Sequence, residues 1–266
     1  MTGATSGIGR AIAIELAASG YDLVLVARDT ARLGEAATDV VGRGVGAVPL
    51  VADLSSEADL VRVEEHLTSE DSPIDVLVHC AGGGLPAGGF FGNDVGTSED
   101  MTRLHIDVLM RLAYAAVPPM TSRGRGKVLI ISSIAGFAPG SPALTYSAAK
   151  AWQTAFGEGL NEYLRGTGCT ATVVAPGFVR SEFHARAGAS TEGLPDSLWT
   201  TPAAVAREAV AGMERGVPLV IPTASWRALY AVFAVLPRRY ARRAFARLMG
   251  RPAEKRRAVD AGEGEG

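Results

Sequence analysis

The chain has 266 residues, 47% of them apolar, which is enough for one large hydrophobic core and excludes a disordered or fibrous composition. Its 26 basic and 28 acidic side chains leave a formal charge of −2, so there is no global signature of nucleic-acid or membrane binding. The two cysteines, Cys80 and Cys169, sit in apolar segments and read as reduced buried thiols. With no signal peptide and no bilayer-length apolar run, the expectation is a soluble cytoplasmic protein.

Thr2-Gly3-Ala4-Thr5-Ser6-Gly7-Ile8-Gly9-Arg10 predicts a glycine-rich turn entering an alanine-rich helix, roughly 8 to 19. Such a turn lets the backbone approach a pyrophosphate, whose charge the helix N-terminus favours. Tyr21 to Ala27 reads as a strand, continuously apolar from Leu23, the pattern of a parallel strand covered on both faces. It ends at Arg28. In a dinucleotide fold an arginine there, helped by Arg32, suits the 2′-phosphate of NADP, whereas an acidic residue suits a free hydroxyl. The other reading is a solvated arginine at a strand end.

Strand and helix patterns then alternate. Residues 46–52 predict a strand ending in Asp53-Leu54, 57–67 a helix, and 75–79 a strand running into Ala81-Gly82-Gly83-Gly84. A helical stretch over 98–117, a strand over 127–132 and a long helix over 143–165 follow. Cys169 to Ala175 reads as a strand ending in Pro176-Gly177, Thr201-Pro202 opens a helix to about Arg215, and 218–222 is a last strand. This alternation predicts an α/β fold: a Rossmann-type doubly wound parallel sheet in a single domain, with ligands at the carboxyl ends of the strands.

The catalytic candidates flank the long helix. Tyr146 and Lys150 are four apart and share one helix face. A nearby ammonium favours the phenolate and lowers the tyrosine pKa from about 10, making Tyr146 a usable general acid and base. Ser133 ends the apolar run Val128-Leu129-Ile130-Ile131 and can face the tyrosine. The chain has only three lysines, at 127, 150 and 255, so a lysine at this position stands out against an arginine-dominated background. An ordinary surface pair next to a strand end is the bland reading.

Taken together, these motifs resemble the short-chain dehydrogenase/reductase family from Thr2 to about Pro222. The resemblance implies hydride transfer between a nicotinamide and a carbonyl or alcohol. Thr2 to Gly9 matches the Thr-Gly-x-x-x-Gly-x-Gly cofactor loop, Asp53 the residue at the adenine amino group, and Ser133, Tyr146 and Lys150 the catalytic residues. Pro176-Gly177-Phe178-Val179-Arg180-Ser181 matches the Pro-Gly segment, with Ser181 where a hydroxyl meets the carboxamide. The implied cofactor contacts are Gly3, Thr5, Ser6, Gly7, Ile8, Gly9, Arg28, Asp53, Leu54, Cys80, Ala81, Gly82, Tyr146, Lys150, Pro176, Gly177, Val179 and Ser181. Arg28 and Tyr-Ser-Ala-x-Lys-Ala-Trp are most similar to ketoacyl- and ketosteroid-reductase-like members, which implies NADP(H) in preference to NAD(H).

Three features depart from the family pattern. Its Asn-Asn-Ala-Gly is here His79-Cys80-Ala81-Gly82, which implies adjusted sheet and cofactor geometry. The helical asparagine that holds a proton-relay water falls on His105, whose neutral ring is able to hold that water or replace it; the alternative is a packed histidine without a role. The first strand should precede the glycine loop, yet only Met1 does, so the expectation is a truncated strand and a start placed too late.

Phe90, Phe91, Phe137, Phe183, Leu194, Trp199 and Trp226 fall in segments expected around the substrate and favour a hydrophobic carbonyl or alcohol compound. His66 reads as part of a solvated helix and His184 as part of a mobile loop, and no convincing metal-ligand set is found. The expected organisation is a catalytic domain over 1–223, a lid or interface extension over 224–251 and a disordered tail over 252–266. Apolar 228–236 is followed by arginines alternating with Tyr240, Phe245 and Leu248, so 225–249 reads as a lid or subunit contact or, in a sharper reading, as a peripheral membrane contact. A homodimer or homotetramer is implied by the family, and no nucleic acid. The alternative function is a catalytically weak dinucleotide-binding regulatory protein on the same fold.

Overall fold

Short runs rich in valine, leucine and isoleucine form the strands, and amphipathic stretches rich in alanine form the helices between them. The computed structural model describes residues 1–84, 86, 88–137, 143–183, 195–237, 239, 240 and 243. His184, Leu194, Phe245, Leu248 and the tail over 252–266 lie outside the described residues. The first half of the chain contains α1 (Gly7–Ala18), β1 (Leu23–Ala27), α2 (Thr30–Val41), β2 (Ala47–Val51), α3 (Glu57–Thr68), β3 (Val76–His79), α4 (Val95–Thr102) and α5 (Val108–Ser122). The second half contains β4 (Gly126–Ile131), α6 (Leu144–Tyr163), β5 (Cys169–Val174), β6 (Phe178–Val179), β7 (Trp199–Thr200), α7 (Pro202–Glu214), β8 (Leu219–Val220) and α8 (Ala224–Val235).

Local chemistry sets several helix starts. The Asp29 side chain accepts from Arg32 N–H to cap α2, and Thr201 accepts from Ala204 N–H with Pro202 opening α7. The helical stretch expected over 98–117 is helical throughout and consists of α4 and α5 joined by a π-helical turn, Arg103–Asp107. One extra residue in a turn leaves the apolar periodicity on either side almost intact, so the pattern does not reveal it.

In the sheet β2 pairs with β1, and β3, β4, β5 and β8 form a second block, all parallel. Thr2 joins the blocks by bridging Val26 on one side and His79 on the other. Thr2 N–H donates to Val78 O at 2.9 Å, Gly3 N–H to Val26 O at 3.1 Å, and Val26 N–H to Met1 O at 2.9 Å. The slot of the expected first strand is thus held by Met1 to Gly3. The Met1 amino group donates to Val24 O at 2.6 Å, and burial pushes its pKa down to about 5. The order across the sheet is β2-β1-Thr2-β3-β4-β5-β8. The crossovers reverse direction at Thr2, which opens a crevice at the carboxyl ends.

Alternation along β4 shows how both faces are filled. Leu129 and Ile131 join the cluster under α1, α2 and α7, while Val128 and Ile130 join the cluster under α3 and α5. Each such fully buried aliphatic side chain contributes roughly 1.5–3 kcal/mol. Pro49 is accommodated in β2, whose one partner among the described residues is β1.

A third cluster contains Ile134, Ala175, Phe178, Ile221 and Trp226. Trp226, expected beside the substrate, is instead buried in this cluster, and its Nε1 donates to Leu198 O at 2.9 Å. An indole that buries its ring and satisfies its N–H in this way is core. The first turn of α8 therefore packs into the body of the domain.

Candidate active site

The glycine loop folds tightly over the seam. Gly3 and Gly7 have φ of +71° and +52°, a region L side chains rarely adopt. A Cβ on Gly3 would lie 2.7 Å from Ala81 N, and one on Gly9 would lie 1.9 Å from Gly3 O. A Cβ on Gly7 would meet only Ser181, at 3.4 Å. The turn therefore leaves a cradle, partly exposed along Thr5, Ser6, Gly7 and Ile8, of the kind a pyrophosphate fits at the start of α1.

Beneath the loop, Thr2 Oγ1 accepts from the N–H groups of Cys80 and Ala81, both at 3.2 Å. His79, in place of the family asparagine, is buried, and its Nδ1 lies 3.5 Å from Thr2 Oγ1. Burial pushes its pKa to about 3, keeping it neutral, and pushes the Cys80 thiol up to about 11. Both side chains are thereby held uncharged beneath the cradle.

Arg28 follows β1 and Asp53 follows β2, with Arg28 Nη1 3.9 Å from Asp53 Oδ2. The Asp53 N–H donates to Asp59 Oδ2 at 2.7 Å, its Oδ1 accepts from Ser55 N–H at 3.0 Å, and Leu54 is buried behind them. Arg28 is 74% exposed and able to swing toward an anion, whereas Arg32 already donates to Glu182 Oε2 at 3.0 Å.

Ser133, Tyr146 and Lys150 come together because the turn after β4 closes on α6. A Cβ on Gly136 would lie 2.7 Å from Ala151 N and from the Lys150 carbonyl carbon, so only glycine permits this approach. Ser133 Oγ accepts from Ala135 N–H at 3.2 Å, and its hydroxyl hydrogen-bonds Tyr146. Burial pushes the Tyr146 phenol up to about 12, and the Ser133 contact offsets only part of that rise. Lys150 Nζ lies 5.7 Å from the Tyr146 ring centroid and donates to Ile131 O at 2.9 Å and to Gln153 Oε1 at 2.8 Å. Burial lowers Lys150 to about 7. The expectation that Lys150 depresses the Tyr146 pKa is corrected here. The ammonium is held by the neutral acceptors Ile131 O and Gln153 Oε1, and desolvation dominates both groups.

His105 lies in the π-helical turn and is buried. Its ring stands edge-on to Tyr146 at 5.8 Å, and Nε2 donates to Gly83 O at 2.9 Å, which places the proton on Nε2. Burial holds it neutral. Its Nδ1, the nitrogen left for the expected relay, has no hydrogen-bond partner among the described residues. The group of His105 linked to Lys150 is its backbone carbonyl, which accepts from Gln153 Nε2 at 2.9 Å. Gln153, a polar residue one turn after Lys150 on the buried face of α6, was the signal that the sequence reading passed over.

On the far wall, Pro176 O accepts from Ile134 N–H at 3.1 Å, and Val179 is buried below Ser181. Phe183 lies 5.9 Å from the Tyr146 ring, and Phe137 packs with its ring tilted against Tyr230 at 4.6 Å, an aromatic not singled out from sequence. Phe91 points to solvent at 91% exposure, and Trp199 packs on Phe178 at 5.5 Å.

The family model described as short chain dehydrogenase matches residues 1–192. The chain belongs to the short-chain dehydrogenases. This short-chain dehydrogenase is 30% identical over 191 residues to a short chain dehydrogenase of Pseudocercospora fijiensis, a match covering 70% of this chain and 60% of that relative's length. Among solved structures, a short-chain dehydrogenase from Sphingobium yanoikuyae in complex with NADPH has a TM-score of 0.79 and 33% identity, covering 89% of this chain and 95% of the other. The bulky-bulky ketone specific alcohol dehydrogenase from Comamonas testosteroni has a TM-score of 0.74 and 28% identity, covering 89% and 93%. As a short-chain dehydrogenase, the protein is an oxidoreductase of alcohol or carbonyl groups that uses a nicotinamide cofactor. Among the described residues no helix is long and apolar enough to cross a membrane.

Proposed function

We propose that the protein transfers hydride between NADP(H) and the carbonyl or alcohol of a hydrophobic substrate, with Tyr146 as the general acid and base. The observation that carries this reading is the meeting of Ser133, Tyr146 and Lys150 beside the glycine cradle. The nicotinamide, when bound, supplies or accepts the hydride. Ser133 donates a hydrogen bond to the developing oxyanion, Tyr146 gives the proton in reduction and takes it in oxidation, and Lys150 places a positive charge within reach of the phenol. His105 presses its neutral ring against Tyr146 and fixes Gly83.

For NADP(H), the support is the exposed Arg28 at the end of β1, together with the NADPH in the Sphingobium yanoikuyae neighbour. For a hydrophobic substrate, it is Phe183 at Tyr146 and the Phe137–Tyr230 pair, together with the name of the ketone-specific neighbour. A cytoplasmic homodimer or homotetramer belongs to the same proposal, supported by the unpaired Cys80 and Cys169 and by exposed Met110 and Tyr114 on α5. With the first turn of α8 anchored in the core, the rest of the segment 224–251 serves in it as a lid or subunit contact.

The test is Tyr146→Phe, with NADPH-induced thermal stabilisation read alongside turnover on a panel of aryl and acyl ketones. Turnover should vanish while stabilisation stays. Turnover retained by the variant rejects the role of Tyr146. Stabilisation of the wild type without turnover on any ketone favours a dinucleotide-binding regulatory protein.

A further inference from the structure

Lys150 is fixed at both of its ends, and the two ends are held by different groups. Its backbone carbonyl accepts from the hydroxyls of Ser132 at 2.8 Å and Thr154 at 3.0 Å, which anchor the main chain of α6 against β4. Its ammonium is held separately, by Ile131 O and by Gln153 Oε1. Gln153 is completely buried, at a helix position where an apolar side chain would ordinarily fill the space. Both ends of its amide are satisfied, since Nε2 donates to the His105 carbonyl in the π-helical turn. The amide therefore spans the interior gap between the π turn and the lysine, and no other described side chain bonds to both.

We propose that Gln153 is a positioning residue, clamping the Lys150 ammonium to the π-helical turn and thereby holding it in register with Tyr146. The placement rests on the roles proposed for Lys150 and Tyr146. Among the described residues, the titratable groups facing Lys150 are His79 and Cys80 from the end of β3, His105 from the π turn and Tyr146 from α6. Burial keeps all four in their neutral forms near pH 7. No carboxylate forms an ion pair with the ammonium among the described residues, so its charge is stabilised by the dipoles of the Ile131 carbonyl and the Gln153 amide. An acceptor removed from a buried ammonium favours its neutral form, and a carboxylate in the same place favours the charged form. The clamp therefore sets the pH range over which Lys150 keeps its proton.

The experiment uses the full chain with 13C-labelled lysine, whose three residues yield three Cε signals to follow against pH, Lys150 being assigned with Lys150→Arg. Gln153→Leu should move the Lys150 midpoint down and Gln153→Glu should move it up, each by about one pH unit. The alkaline limb of turnover on the ketone panel should follow in the same directions. A cavity or a repacked helix would depress activity in both variants but would not displace the midpoints in opposite senses. Folded variants with the wild-type midpoint overturn the inference. If Gln153→Leu fails to fold, Gln153→Glu decides alone, and an unmoved midpoint there is equally fatal. The two failures are distinguishable: turnover surviving Tyr146→Phe removes the site reading, whereas an unmoved midpoint beside an inactive Tyr146→Phe removes only Gln153.

Discussion

His105 donates from Nε2 to the carbonyl of Gly83 at 2.9 Å, so the imidazole ties the π-helical turn to the glycine run after β3. The fit is close: a Cβ on Gly82 would lie 2.2 Å from His105 Cε1. Its other nitrogen, Nδ1, is buried without a hydrogen-bond partner among the described residues. His105→Asn should keep most turnover, and His105→Ala should lose about tenfold or more, because alanine removes both the buried ring beside Tyr146 and the tie to Gly83 O. Equal kcat in all three proteins would remove His105 from the site. Because burial lowers the pKa of His105 well below its usual value, its ring stays neutral at physiological pH and should contribute no inflection to the wild-type rate near pH 6.5.

Lys150 should make stability depend on pH in a defined window. Its folded pKa is about 7 against a reference of 10.5. Below pH 7 both states are protonated and the penalty for burying the charge is fully present. Between 7 and 10.5 the unfolded chain binds more protons than the folded one, so stability rises with pH. Wild type should therefore gain melting temperature relative to Lys150→Met across that window. The raised phenol of Tyr146 and thiol of Cys80 act oppositely at alkaline pH but are common to both proteins. A constant difference in melting temperature would show that Lys150 is not desolvated as described.

Arg28 should govern the choice between cofactors. Arg28→Asp removes a cation suited to a 2′-phosphate and places a carboxylate beside Asp53. A charge-assisted hydrogen bond is worth about 1.5–3 kcal/mol, so NADPH affinity should fall roughly 10- to 100-fold while NADH affinity holds or improves. Arg32→Ala should have a smaller effect, since Arg32 is already engaged by Glu182. Calorimetric titration with both cofactors checks this, and an equal loss for the two contradicts it.

Gly177 and Trp226 should behave as a coupled pair. A Cβ on Gly177 would lie 2.0 Å from Trp226 Nε1, which is bonded to Leu198 O. Gly177→Ala should cost roughly 1–3 kcal/mol through overpacking. Trp226→Ala removes all three indole atoms that would clash, Nε1, Cε2 and Cδ1, so the double variant should be less destabilised than the sum of the singles. Additive denaturation midpoints would place the indole elsewhere.

The parallel alternation of strands and helices was legible because the strands are short, mostly apolar runs and the crossover helices between them are amphipathic. The positions that follow the strands, from Gly3 to Gly9 and on to Arg28, Asp53, Ala81, Ser133 and Pro176, could be read for the same reason. A parallel sheet delivers every strand end to one edge. The π turn at Arg103–Asp107 was not legible, because one added residue hardly disturbs the pattern on either side. Trp226 was misplaced, because a large aromatic reads alike whether it lines a cleft or fills a core.

By itself, the sequence determined the fold class, the glycine cradle and the grouping of Ser133, Tyr146 and Lys150, all of which are written in local spacing and strand order. Only the tertiary structure decided what surrounds those groups. That Lys150 is held by Ile131 O and Gln153, that His105 turns to Gly83, and that burial raises Tyr146 are consequences of contacts between distant segments. Desolvation and hydrogen bonding in a buried site depend on which atoms meet there, and no local pattern encodes that.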